Sequence, residues 1–267
     1  MKIRDLSLPV FPGMVVQLFA TCLVEAIRPQ VGLAVVAVLE RLGLTVEYPE
    51  GQTCCGQPAF NAGAWADARA MAHHTLDVLS RSPAPIIIPS GSCADMIIHH
   101  YPELLADDPK YGPLAQDIAA RTYEFTQFIV DVLGVTDLTD LKDRLGVKHK
   151  IAYHPSCHLL RGLNNRTAPK QLLAGVNAEI VDIPNAEDCC GFGGLFAIKM
   201  SDISGAMLQR KLDNIESTGA ETVVGCDVSC LLHIGGGLHR RGASIETKHL
   251  AELLANAEPA LRVRNTE

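Results

Sequence analysis

The sequence predicts an α/β protein of two related halves, each an internally duplicated β-α-β-α-β unit with a parallel sheet, the halves related by a pseudo-twofold. Three observations predict it. The triplet Cys54-Cys55-Gly56 returns as Cys189-Cys190-Gly191, 135 positions later. At the same offset Cys22 falls on Cys157, Val46 on Val181, Glu47 on Asp182 and Pro49 on Pro184, so each copy carries a single cysteine 32 residues before its pair. Downstream the register slips by two, and Ser92-Cys93 matches Ser229-Cys230. A unit used twice implies one architecture used twice. Thirdly, short apolar runs alternate with helical patterns, as parallel sheets require.

Taken in order, Val15 to Thr21 reads as a short buried strand ending at Cys22. Leu23 to Gly43 reads as one helix, because Val31, Val35, Val38, Leu39 and Leu42 recur at helical spacing before the terminal glycine. Leu44 to Tyr48 is the second strand and runs into the loop that holds Cys54-Cys55-Gly56. A helix from about Gly63 to Ser80 and the strand Pro85 to Ile88 follow, with Cys93 just past the strand. From Asp107 to Val147, Leu114, Ile118, Phe125, Ile129 and Val132 form an apolar stripe that reads as packing. Tyr123, Phe125 and Phe128 need no cofactor to explain them.

The second copy repeats the order. Lys150 to His154 is a strand ending at Cys157, a helix spans roughly Thr167 to Ala174, and Glu179 to Ile183 is the next strand. Beyond Cys189-Cys190-Gly191 comes a helix on which Met200, Ile203 and Met207 share a face, stopped by Gly219. Glu221 to Val224 is the third strand, with Cys226 and Cys230 past its end. Ala243 to Ala255 adds a strand and a helix, and Pro259 marks the frayed end. The expected division is a first half over residues 1–106, a helical connector over 107–148 and a second half over 149–267.

Composition narrows the function. Of 267 residues 48% are apolar and 20% charged, which excludes disorder. With 23 basic and 30 acidic side chains the net charge is −7, so the chain lacks the electrostatic footprint of a nucleic-acid or anionic-membrane binder. Pro9, Pro12 and Gly13 break the apolar run after Lys2 and Arg4, against a signal peptide, and no stretch has the length of a membrane span. The expected location is the cytoplasm. Nine cysteines there form a metal-binding or redox-active array rather than a disulfide framework.

The motif cysteines all lie near the carboxyl ends of strands, the ligand-binding edge of a parallel sheet. Three loops per half thereby bring four thiolates together. Four thiolates suit a tetrahedral zinc or an iron–sulfur cluster. Structural zinc favours C-x₂₋₄-C knuckles, whereas these pairs are adjacent and their partners distant, which suits a larger object. Glycine after each pair permits positive φ and close backbone approach, with N–H donors turned to the centre. Gly191-Phe192-Gly193-Gly194 lacks the spacing of a phosphate or dinucleotide loop. His154 and His158 flank Cys157 and read as hydrogen-bonding or helix-capping neighbours in preference to ligands. His73, His74, His99 and His100 read as helix-surface residues, and a Cys–His nucleophile would leave seven cysteines unexplained.

These motifs resemble the cysteine-rich (CCG) domain shared by the heterodisulfide reductases, the glycolate oxidase iron–sulfur subunit and the lactate-utilisation proteins. Cys54-Cys55-Gly56-Gln57-Pro58-Ala59, Ser90-Gly91-Ser92-Cys93, Tyr153-His154-Pro155-Ser156-Cys157, Cys189-Cys190-Gly191-Phe192-Gly193-Gly194 and Asp227-Val228-Ser229-Cys230-Leu231-Leu232 are similar to the LutA/YkgE branch. The resemblance implies an iron–sulfur electron-transfer subunit in the oxidation of L-lactate to pyruvate. The partners it implies are a ferredoxin-like iron–sulfur subunit and a third small subunit. It implies that Cys22, Cys54, Cys55 and Cys93 hold one cluster, and Cys157, Cys189, Cys190 and Cys230 a second. Where heterodisulfide reductase closes each copy with C-x-x-C, this chain has Ser90 and Asp227, which leaves four thiolates per copy and favours [4Fe–4S]. Cys226 has no partner in the first copy and reads as a small buried hydrophobe. A disulfide reductase with a cluster active site, and a structural zinc module, are the competing readings. No flavin or nicotinamide motif appears, which suits a subunit better than a complete enzyme.

Overall fold

The computed structural model describes residues 11, 13–136, 149–174 and 178–255 of the chain. Pro9, Pro12, the connector's end at 137–148 and Pro259 lie outside the described residues. Two four-stranded, all-parallel sheets carry the fold, with strand orders β2-β1-β3-β4 and β6-β5-β7-β8. The strands are β1 (Val15–Leu18), β2 (Thr45–Glu47), β3 (Ile86–Ile88), β4 (Thr122–Glu124), β5 (His149–His154), β6 (Ala178–Val181), β7 (Thr222–Gly225) and β8 (Glu246–His249). Sheet order repeats as chain order does, and the two halves are alike.

In the first half α1 (Cys22–Ile27) and α2 (Pro29–Arg41) follow β1, and α2 packs on β2. The single helix expected over Leu23 to Gly43 is therefore two. A residue before proline is pushed out of the helical region, and Arg28, at φ −131° and ψ 55°, breaks the helix there. Pro29 then opens α2, where its missing N–H costs nothing. Val31, Ala34, Val35, Val38 and Leu39 form the buried face of α2, the spacing that identified the helix. After β2 come α3 (Gln57–Asn61) and α4 (Trp65–Leu79), then the wholly buried β3. Past β3, α5 (Gly91–Asp95) continues through a π-helical turn, Met96–His100, into α6 (Tyr101–Leu104).

The apolar stripe from Leu114 to Val132 is not one helix either. It comprises α7 (Tyr111–Ala120), strand β4, α8 (Phe125–Gln127) and a π-helical turn, Phe128–Val132. Ile118 and Phe125 keep a helical phase across β4 because seven residues separate them, so periodicity alone hides a three-residue strand. Ladder pairing to β3, Ile86 with Thr122 and Ile88 with Glu124, overrides it.

The second half holds a π-helical turn, His158–Gly162, and α9 (Ala168–Ala174) after β5. Next come α10 (Phe196–Lys199), α11 (Ser201–Glu216), α12 (Val228–Arg240) and α13 (Leu250–Ala255). Each sheet thus ends in a fourth strand followed by a helix that crosses to the other half. α13 packs on α2, where the Arg41 guanidinium donates to the carbonyls of Leu254 and Ala255 at 3.3 and 3.2 Å. Those carbonyls close a helix C-terminus, where a cation is favoured. Reciprocally, α8 and its π-turn pack on α9, and Gln127 Nε2 donates to the Leu163 carbonyl at 3.3 Å. One apolar core runs through both halves, from Val16 and Ile87 to Tyr153 and Leu254. No helix among the described residues is long and apolar enough to cross a membrane.

Candidate functional site

The eight motif cysteines gather into two groups of four, one per half. Cys22 opens α1 directly after β1, Cys54 and Cys55 lie in the loop between β2 and α3, and Cys93 sits in the first turn of α5 after β3. Cys157, Cys189, Cys190 and Cys230 take the same places after β5, before α10 and at the start of α12. The Cys55 and Cys93 sulfurs are 3.3 Å apart and those of Cys190 and Cys230 3.1 Å apart. Cys22 and Cys55 are both hydrogen-bonded to Cys54, as Cys157 and Cys190 are to Cys189.

Each group thereby holds one favoured thiolate. Hydrogen bonds from Cys22 and then Cys55, with the Gly56 N–H, pull the Cys54 thiol down to about 3. Cys157, Cys190 and the Gly191 N–H pull Cys189 down to about 2, against burial. The donors Cys22, Cys55, Cys157 and Cys190 are pushed up, first by those hydrogen bonds and then by burial. A set of thiols sharing protons in this way loses them when a cation arrives.

The glycines after each pair carry the left-handed backbone that their motif requires, φ 83° at Gly56 and φ 92° at Gly191. At Gly191 a Cβ would come within 2.7 Å of the Ser204 carbonyl oxygen. Thr21, just before Cys22, holds φ 75° without being glycine, a strain of roughly 1–2 kcal/mol. Its counterpart in the second half is Ser156.

Both groups open on the seam between the halves. A cavity of about 120 Å³ over the first group is walled by Cys22, Cys54, Cys55 and Cys93, and from the second half by Phe192, Gly194 and Asp227. A smaller one, about 50 Å³, is walled by Cys157, Cys189, Cys190 and Cys230, with Gln57 and Ser92 from the first half. Gln57, Ser92, Phe192, Gly194, Asp227 and Ser229 line both.

Ser90 and Asp227, which stand where a further cysteine would complete C-x-x-C, are helix N-caps. Ser90 Oγ accepts from the Cys93 N–H at 3.3 Å, and Asp227 Oδ1 from the Ser229 N–H at 3.2 Å. Asp227 Oδ2 also accepts from the Ser92 N–H at 2.9 Å, tying the halves together between the two sites. Cys226 is fully buried, lines neither cavity, and packs in the shared core beside Tyr153.

The flanking histidines differ in kind. His158 Nδ1 lies 2.6 Å from Asp95 Oδ2, and its Nε2 is 3.0 Å from Gln57 Nε2, so Nδ1–H donates to the carboxylate and the Gln57 amide donates to Nε2. Asp95 raises the His158 pKa against the pull of burial. That bridge links the halves as Asp227 does. His154 is 1% exposed, and neither ring nitrogen has a hydrogen-bond partner among the described residues. Burial drives its pKa down to about 3. A ring nitrogen of His154 and the sulfurs of Cys190 and Cys230 lie within 4.8 Å of one another. Leaving a buried polar group unpaired costs about 1–3 kcal/mol, which a bound group would offset. Orphaned imidazole, four convergent sulfurs and a glycine-lined approach together fit a metal or metal–sulfur group.

Gln57, Asp95 and Lys211 are site residues that sequence reasoning misses. Gln57 stands inside the Cys-Cys-Gly-Gln-Pro-Ala motif, yet its reach to His158 spans 101 residues. Lys211 does carry a signal in the sequence, a lysine on the inward face of α11 between Leu208 and Leu212.

The profile of the cysteine-rich domain (CCG) family matches residues 16–98 and 151–235, one match per half. Lactate utilization protein A of Macrococcus caseolyticus (strain JCSC5402) is 44% identical over 252 residues, 94% of this chain and 100% of that protein. Lactate utilization protein A of Bacillus cereus (strain G9842) is 46% identical over 242 residues, covering 90% and 98%. Among solved structures, an aspartate racemase homologue from Pyrococcus horikoshii OT3 aligns over 91% of this chain and 96% of its own, at 14% identity and a TM-score of 0.33, too distant a likeness to carry an argument. The chain belongs to the lactate utilization protein A family of cysteine-rich (CCG) domain proteins.

Proposed function

We propose that the chain is an iron–sulfur electron-transfer subunit of a complex that oxidises L-lactate to pyruvate, with one [4Fe–4S] cluster in each half. Cys22, Cys54, Cys55 and Cys93 would hold the first, and Cys157, Cys189, Cys190 and Cys230 the second. The observation that carries this reading is the pair of four-sulfur groups opening on one seam, each cavity walled by the other half. Such clusters supply one-electron chemistry when bound.

The chain's own residues do the rest. The Gly56 and Gly191 N–H groups turn to the first cysteine of each pair, where donors tune a potential. Asp227, Gln57 and His158 lock the halves and with them the spacing of the sites. Lactate comes to this reading from the names of the relatives, and a hydride acceptor on another subunit is part of the proposal. A ferredoxin-like iron–sulfur subunit and a third small subunit, in the cytoplasm, complete the proposed complex.

The compact His154, Cys190 and Cys230 group favours one second reading, a single zinc in the second half. Purification without oxygen, followed by iron, sulfide and zinc analysis, tests both. We expect about eight irons and eight sulfides per chain, as two cubane clusters demand. Stoichiometric zinc with no sulfide would overturn the cluster reading.

A further inference from the structure

The two cysteine sites are copies, but their surroundings are not. At the offset that lays Cys22 on Cys157, Phe19 falls on His154, and each is 1% exposed. The second site meets an imidazole with neither nitrogen partnered among the described residues and one of them beside Cys190 and Cys230, whereas the aligned position of the first half carries a hydrocarbon ring. Neutral or protonated, imidazole carries at least one N–H, and nothing among the described residues accepts it.

A second difference points the same way. Met71 packs on Gly56 as Met207 packs on Gly191, which sets the register of α4 on α11 and lays Thr75 on Lys211. Lys211 is 1% exposed and donates to the carbonyls of Asn185 and Ala186, at 3.3 and 2.9 Å, in the loop that leads to Cys189. Its charge is felt at Cys189, Cys190 and Cys230, whereas Thr75 brings none to the first site. Asp188 on that loop is the first of the negative charges that act on Lys211, and it is shared with Arg210 at 3.2 Å. Asp227 lines both cavities, but its negative charge is felt at Cys157 and His154, so it offsets part of what Lys211 brings to the second site.

A cation and an N–H donor both favour the more negative, reduced state of a metal–sulfur centre, and so raise its potential. We propose that His154 and Lys211 make the second-half site the higher-potential one of the pair, the first to accept an electron, with His154 as N–H donor to its sulfur. The transfer is of one electron, with no bond made or broken and no proton moved. This inference rests on the two-cluster reading.

The test is a redox titration of the full chain purified without oxygen, followed by electron paramagnetic resonance, with iron and sulfide counted on every sample. Wild type should give two waves, and Cys55→Ser should remove the lower one. His154→Phe, which installs the first half's residue, should keep full iron and move the upper wave down towards the lower, which stays in place. Phe19→His should raise the lower wave, His154→Gln, which keeps an N–H, should restore part of the shift, and Lys211→Met should give a smaller downward move than His154→Phe. A single wave in wild type, or an unmoved upper wave in His154→Phe at full iron, overturns the proposal. Iron halved in both His154→Phe and His154→Gln also overturns it, because His154 is then a ligand. Wild type without iron defeats instead the cluster reading on which the proposal stands, so the two failures are distinguishable.

Discussion

The first and second halves place four cysteines at the same strand ends, with the same proton-sharing order and the same left-handed glycine, yet they differ in what presses on them. In the first half the stress is in the backbone, at Thr21, and Phe19 and Thr75, the counterparts of His154 and Lys211, are uncharged. In the second it is electrostatic, with an orphaned His154 and a buried Lys211. Duplication has preserved the cage and varied the medium around it. A donor set is fixed by geometry that tolerates little drift, whereas potential is set by charges and dipoles nearby, which one substitution can change.

The largest expected effect breaks the comparison outright. Cys190→Ser should remove the second site and leave the first, halving the iron, because a hydroxyl replaces a thiolate poorly. Cys226→Ala is the matched control, since Cys226 is equally buried but lines neither cavity. It should keep all its iron and lose only about 1 kcal/mol of stability, the scale of a small core truncation. Metal analysis of both variants decides. Loss of iron from Cys226→Ala would end the four-thiolate account of this half.

Next in size is a paired glycine substitution that sharpens the comparison. Both positions have positive φ, but an added Cβ meets the Ser204 carbonyl at 2.7 Å from Gly191, against Met71 Cβ at 3.2 Å from Gly56. At Gly191 the contact is closer than real Cβ atoms tolerate and backbone must move, whereas at Gly56 the neighbour need give by only a few tenths of an ångström. Gly191→Ala should cost about 2–4 kcal/mol and Gly56→Ala about 1–2 kcal/mol, read as denaturant midpoints. Equal costs would mean that the two loops are not held as differently as their contacts imply.

The smallest effect concerns the ends of the fourth strands, Glu124 on β4 and His249 on β8, both fully buried. Burial pushes the Glu124 carboxyl up to about 7, only partly offset by hydrogen bonds from Thr126, Gln127 and Asn165. Burial pushes His249 down to about 4. For Glu124 the folded chain holds its proton more tightly than the unfolded chain, so its contribution to stability declines as pH rises from about 4.5 to about 7. For His249 the unfolded chain binds the proton better, so stability declines as pH falls from 6.5 towards about 4. Glu124→Gln should therefore be more stable than wild type above pH 7, by on the order of 1–3 kcal/mol, with the gap closing towards pH 5. Thermal melts across that range check it, and a gap that widens as pH falls would reverse the assignment.

By itself the sequence determined the α/β class, the duplication and the membership of each cysteine group. Those features are written in local spacing, in residue identity and in a repeat, all of which survive without coordinates. Pro29 stands at the break between α1 and α2, but a proline is tolerated in the first turn of a helix, so the sequence read as one helix through it. The strand and helix read over Ala243 to Ala255 are there as β8 and α13, but only the tertiary structure decided that β4 exists, that both strands complete the sheets, and that α8 and α13 cross to the opposite half. A three-residue strand carries too little pattern to outweigh the helical phase around it, and its pairing partner lies 36 residues away, Ile86 to Thr122. The seam was equally hidden. Asp227 against Ser92, and Asp95, His158 and Gln57 in line, are contacts between halves, and no periodicity within one half records what the other half will bring to it.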